Sequence, residues 1–110
     1  KNPGDVWEIT NIKNNHPEKI DGGHPCQFPL ALAERVILAL TNPGDLVIDP
    51  FGGVATTLVA SLLNNRRAVS AEINPRYHKL GADRLRNQLR EFDGRKDLKL
   101  NFRSSKYFDL

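Results

Sequence analysis

The sequence predicts an α/β chain built on a strand–helix–strand–helix unit of a parallel sheet. Three observations carry that expectation. Two short strand-like stretches, the branched-rich run at 46–48 and a second at 68–73, flank a segment with helical spacing. A glycine turn, DPFGG, stands where the first run ends, and a long basic segment opened by Asn74-Pro75 follows the second. Two strands joined through a helix lie parallel with a right-handed crossover.

Taken in order, residues 1–28 are rich in Asn, Gly, Pro and Lys and lack helical periodicity, which predicts an irregular segment with at most a short strand at 6–9. From Pro29 the pattern changes. Leu32, Val36 and Leu40 recur at i, i+4 and i+8 with Ala33 and Ile37 beside them, which predicts a helix with Pro29 in its first turn, where the missing N–H costs nothing. Asn42-Pro43-Gly44-Asp45 stops that helix and turns the chain into the strand at 46–48. Leu58, Val59, Leu62 and Leu63 predict a helix over 56–63, and Asn64-Asn65-Arg66-Arg67 leads to the strand at 68–73. The last helix is expected to turn Tyr77, Leu85 and Leu89 inward and Arg76, Lys79, Arg86 and Arg90 outward. Beyond Gly94 the tail is polar, with one strand expected near 98–102. The expected organisation is an irregular segment at 1–28, a folded unit at 29–93 and a tail at 94–110.

Composition narrows the class of function. With 110 residues, 39% hydrophobic and 26% charged, the chain is expected to form one water-soluble domain. Its mean hydropathy is −0.48. The apolar stretch at 36–40 is far below the roughly 20 residues of a membrane span, and no charged-then-apolar leader opens the chain, so no membrane association and no export are expected. Cys26 has no second cysteine to pair with, which fits a reducing, cytoplasmic setting. The net charge of +3 leans toward a polyanionic partner. No methionine occurs, and the opening KNPGDVWEIT reads like the interior of a longer protein.

The DPFGG turn admits a narrow set of ligands. A Walker-type phosphate loop needs a lysine after its last glycine, and Gly53 is followed by Val54-Ala55-Thr56-Thr57. The dinucleotide fingerprint needs three spaced glycines, and only the adjacent Gly52 and Gly53 are present. Glu72, however, stands 19 positions after Gly53, at the expected end of the second strand, where a carboxylate meets ribose hydroxyls in such units. A nucleoside without a diphosphate is implied. Against this stand two plainer readings: a tight turn that binds nothing, and a solvated surface glutamate. His16, His24 and His78 with Cys26 lack zinc-type spacing, so no metal site is expected. The basic side chains Arg76, Lys79, Arg84, Arg86 and Arg90 suit either phosphate contact or a solvated helix face.

Three stretches together, HPCQFPLALAERVI at 24–37, NPGDLVIDPFGGVATT at 42–57 and AEINPRYHKL at 71–80, resemble the consecutive cofactor motifs of amino-methylating DNA methyltransferases of the β arrangement. The likeness runs from about Asp5 to Leu89. It implies a Rossmann-like S-adenosylmethionine-dependent methyltransferase fold, here only the cofactor-binding portion of the parallel sheet. It also implies methyl transfer to the exocyclic amine of adenine (N6) or cytosine (N4) in double-stranded DNA. Carried over by position, Asp49, Phe51 and Gly53 form the turn around S-adenosylmethionine, with Phe51 near the adenosine. Glu72 takes the ribose hydroxyls and Ile73 packs on the adenine, while Gln27, Phe28 and Pro29, with Cys26 nearby, close over the methionine end. The family turn commonly reads Gly-Ser-Gly-Thr-Thr, whereas this chain has Val54 and Ala55 at its second and third positions. The family's catalytic Asp/Asn/Ser-Pro-Pro-aromatic motif is absent, since no Pro-Pro occurs in the sequence. No catalytic residue is therefore assigned, and the chain is expected to need a missing catalytic half, from the same gene or another chain, or to self-associate as a homo-oligomer. The rival from a different class is a non-catalytic nucleoside-binding or assembly module.

Overall fold

The computed structural model describes residues 4, 6–13, 15–22 and 26–91. Along them run α1 (Leu30–Leu40), β1 (Leu46–Asp49), α2 (Thr56–Leu63), β2 (Arg67–Ser70) and α3 (Pro75–Glu91). β1 and β2 pair in parallel, with Leu46 opposite Arg67 and Asp49 opposite Ser70, and α2 is the crossover between them. Both strands therefore point their carboxyl ends the same way, toward the DPFGG turn and Glu72.

α2 is the centre of the core. On one side Ala60 packs with Ala33 and Ile37 of α1 and with Val47, and on the other Val59 packs with Ala55 and Leu85 of α3. Val59 and Leu85 are only 1% and 2% exposed, and burying a side chain of that size contributes about 1.5–3 kcal/mol. Arg66 closes the far end. Its Nε and Nη2 donate to Thr41 Oγ1 at 2.9 Å and Thr41 O at 2.6 Å, and Nη1 donates to Asn64 O at 2.7 Å. One buried cation thus meets the carbonyl ends of two helices, where the helix dipole favours positive charge.

The two faces of the sheet differ. Val47, Asp49, Ala68 and Ser70 are half-buried, whereas Leu46, Ile48 and Val69 are 46%, 67% and 55% exposed. Parallel strands are ordinarily covered on both faces. Among the described residues nothing covers the second one, and no helix is long and apolar enough to cross a membrane.

Several expectations need correction. Residues 6–9 form no strand: Val6 is 81% exposed, and Trp7 instead lies under Arg35 at 5.1 Å and donates from Nε1 to Gly4 O at 3.0 Å. α1 buries Ala33 and Ile37, while Val36 and Leu40 are exposed; the small Ala33 lets the helix approach α2, which rotates the stripe by one position. β2 ends at Ser70 rather than 73, because β1 supplies no ladder partner beyond Asp49. Arg84, read as part of an outer basic face, is buried at 8% exposure. The strand expected near 98–102 and the side chains of Leu89 and Arg90 lie outside the described residues.

Candidate functional site

The turn at the end of β1 is built by its own residues. Asp49 Oδ1 accepts from Phe51 N at 3.0 Å, an aspartate turn that uses the carboxylate to fold the chain back. Two backbone bonds then stitch this turn to the chain leaving β2: Ala71 N donates to Asp49 O at 3.0 Å, and Gly52 N donates to Ala71 O at 2.8 Å. Gly52 permits that approach, since a Cβ there would overlap Ser70 Oγ and lie 3.3 Å from Ala71 O. Gly53 follows in the left-handed region at φ 53°, as does Ala55 at φ 66° before α2 begins at the buried Thr56. Ala55 has room because Gly81 of α3 faces it; a Cβ at Gly81 would come within 3.1 Å of Ala55 Cβ.

Glu72 locks the two ends together. Its Oε2 accepts from Gly53 N at 2.8 Å and its Oε1 accepts from Asn74 N at 2.8 Å. The carboxylate is half-buried. Each oxygen has one further lone pair, so a carboxylate fixed in orientation still offers acceptors to a neighbouring pair of hydroxyls. Phe51 and Ile73, in the loops at the same end of the strand pair, are 88% and 84% exposed. Two large apolar side chains standing in water beside a fixed carboxylate are suited to the faces of an aromatic base.

The second group of candidates, Gln27, Phe28 and Pro29, lies at the start of α1. Pro29 is buried at the helix N-cap position with φ −64° and ψ 142°, and Phe28 is partly exposed at 38%. The Gln27 amide is spent on local structure, donating to Glu18 O at 2.6 Å and accepting from Ile20 N at 3.2 Å. Since Pro29 has no capping side chain of its own, Glu18 Oε2 caps the helix by accepting from Leu30 N at 2.8 Å. Cys26 is exposed. Asp49, Phe51, Gly53, Glu72 and Ile73 are thus gathered at the carboxyl end of the strand pair, and 27–29 form a separate strap held by Glu18.

Sequence reasoning missed the two residues that join these parts. Arg84 Nη1 donates to Thr56 Oγ1 at 2.7 Å and Val54 O at 3.2 Å, and its Nη2 stands 3.8 Å from Glu18 Oε2. Burial pushes the guanidinium below its usual range and the Glu18 charge opposes that shift. The signal was present in the helical phase: Gly81, Arg84, Leu85 and Gln88 fall at i, i+3, i+4 and i+7, one face of α3.

A parallel strand–helix–strand with a glycine turn and a fixed acidic side chain at its carboxyl end is an α/β unit of the Rossmann-like methyltransferase type. Comparison with known proteins gives the family. The sequence profile of the DNA methylase family matches residues 1–83, and the chain belongs to that family. It is 46% identical over 77 residues to the type II methyltransferase M.BglII of Bacillus subtilis, covering 70% of this chain and 21% of the relative. It is 42% identical over 85 residues to the DNA adenine methyltransferase YhdJ of Escherichia coli K12, covering 77% and 28%. Among solved structures, a putative DNA modification methylase from Thermus thermophilus, TTHA0409, complexed with S-adenosyl-L-methionine, superposes with a TM-score of 0.54 at 44% identity, covering 56% of this chain and 25% of that one. The chain therefore spans between a fifth and a third of the length of these relatives.

Proposed function

We propose that this chain is the S-adenosylmethionine-holding part of a DNA methyltransferase that modifies the exocyclic amine of adenine (N6) or cytosine (N4). The observation that carries the reading is the Gly53–Glu72 hydrogen bond, which fixes a carboxylate beside an open glycine turn at the carboxyl end of two parallel strands. The Thermus relative was solved in complex with the same cofactor.

The residues fit that cofactor. Glu72 keeps free acceptor positions for the ribose hydroxyls, Gly53 leaves the turn without a Cβ beside it, and Phe51 and Ile73 present exposed apolar surface for the adenine. Gln27, Phe28 and Pro29 would wall the methionine end. When bound, S-adenosylmethionine supplies a methyl group made electrophilic by its sulfonium. This chain's residues bind and orient; the proximity they impose is the catalytic contribution they can make, because transfer to a nitrogen needs alignment more than covalent help. Gripping a base turned out of the duplex falls to residues not present here, since the sequence has no Pro-Pro motif.

The uncovered face formed by Leu46, Ile48 and Val69 supports a companion segment that completes the sheet. The relatives are three to five times longer than the stretch they share with this chain, so the occupant we assign is the remaining part of the methyltransferase. Transfer of labelled methyl groups to unmethylated double-stranded DNA tests the whole reading. These 110 residues alone should give no incorporation, and incorporation should return once the polypeptide carrying the Pro-Pro motif is added. Transfer by the purified chain alone would overturn this division of labour.

A further inference from the structure

The side chain of Arg84 is only 7% exposed, and its Nη2 has no hydrogen-bond acceptor among the described residues. A buried guanidinium with unspent donor capacity is costly unless its surroundings need it. What surrounds it is informative. Through Nη1 it holds Val54 O and Thr56 Oγ1, the residues that follow Gly53. Across 3.8 Å, Nη2 faces Glu18 Oε2, the atom that caps Leu30 N, and the Glu18 carbonyl holds the Gln27 amide. One cation on α3 thus sets the distance between the DPFGG turn and the 27–29 strap. Leu30 packs against both core clusters and gives the same junction an apolar backing.

We propose that Arg84 is a positioning residue which, through Glu18, holds the strap for the amino-acid end of the cofactor in register with the turn for its nucleoside end. The inference rests on the cofactor reading above. Loss of Arg84 moves one half of the site relative to the other, so ligands spanning both halves suffer more than ligands confined to the nucleoside half, which feel only the loss of the Nη1 bonds to the turn.

The probes are S-adenosylhomocysteine, which spans both halves, and 5′-methylthioadenosine, the same nucleoside without the amino-acid end, each titrated calorimetrically. Arg84→Met, which removes the donors, should weaken S-adenosylhomocysteine about tenfold or more and 5′-methylthioadenosine about threefold or less, because the ligand that reaches the strap loses the Glu18 link as well as the Nη1 bonds to the turn. Arg84→Lys, which keeps the charge but cannot reach both partners, should recover part of the loss. Glu18→Gln, at a partly exposed position, should show the same selectivity more weakly, and it decides the matter if Arg84→Met does not fold. Equal weakening of both ligands in a folded variant, or of neither, would overturn the proposal. Failure of the unsubstituted protein to bind either ligand would instead overturn the cofactor reading beneath it.

Discussion

Replacing Glu72 separates what its carboxylate does for the fold from what it does for a ligand. In the folded chain Oε2 and Oε1 each accept one backbone N–H, from Gly53 and Asn74, both at 2.8 Å. A hydrogen bond to a charged group contributes about 1.5–3 kcal/mol, and because water can reach this half-buried group the two together should be worth about 1–3 kcal/mol. Glu72→Ala should therefore lower the unfolding free energy by about that amount, read from urea denaturation with an unchanged slope. Glu72→Gln should cost about half as much, since its NH₂ cannot accept and one of the two amides then faces a donor. Ligand binding should respond differently. A ribose diol needs the acceptors that remain on both oxygens, so both variants should lose about 1.5–3 kcal/mol of affinity for S-adenosylhomocysteine, roughly ten- to a hundredfold. A stability loss with unchanged affinity in a folded variant would make Glu72 a purely structural clasp. Unchanged stability as well would refute the hydrogen-bond reasoning itself.

Two further predictions concern the frame that positions the site. Arg66→Met should destabilise the chain by about 3 kcal/mol, because it leaves Thr41 O and Asn64 O at two helix ends without their charged donor; chemical denaturation measures this directly. Gly81→Ala should cost about 1–3 kcal/mol through crowding against Ala55, whose Cβ would stand 3.1 Å away. Adding Ala55→Gly removes that Cβ neighbour, so the double variant should be more stable than additivity allows by at least about 0.5 kcal/mol.

The parts legible in the sequence were those decided by local chemistry. The bounds of α2 follow from its apolar spacing and the Asn64-Asn65 stop, and the turn follows from Asp49 and the paired glycines. What was not legible depended on partners distant in sequence. β2 looks able to continue through Ile73 but stops where β1 runs out, so strand length there is set by pairing and not by propensity. α1 presents Ala33 and Ile37 because a small residue permits close helix packing, which composition alone does not rank above Leu32 and Val36. Arg84 reads as a surface residue on its charge, although its helical phase with Gly81 and Leu85 points inward; its partners Val54, Thr56 and Glu18, 28 to 66 residues earlier, explain a buried cation. The strap and the turn were both visible as motifs. Their connection was not.

If the carboxyl end of the two parallel strands holds the nucleoside of S-adenosylmethionine, backbone-amide NMR during titration with S-adenosylhomocysteine will show it. The amides of Phe51, Gly53, Glu72 and Ile73 should shift together and saturably, while those of Gly44 and Asp45, at the opposite end of β1, stay in place. A folded protein whose shifts are absent, or gather at 42–45 instead of at the turn and Glu72, would mean that the nucleoside is not held at this end of the strands.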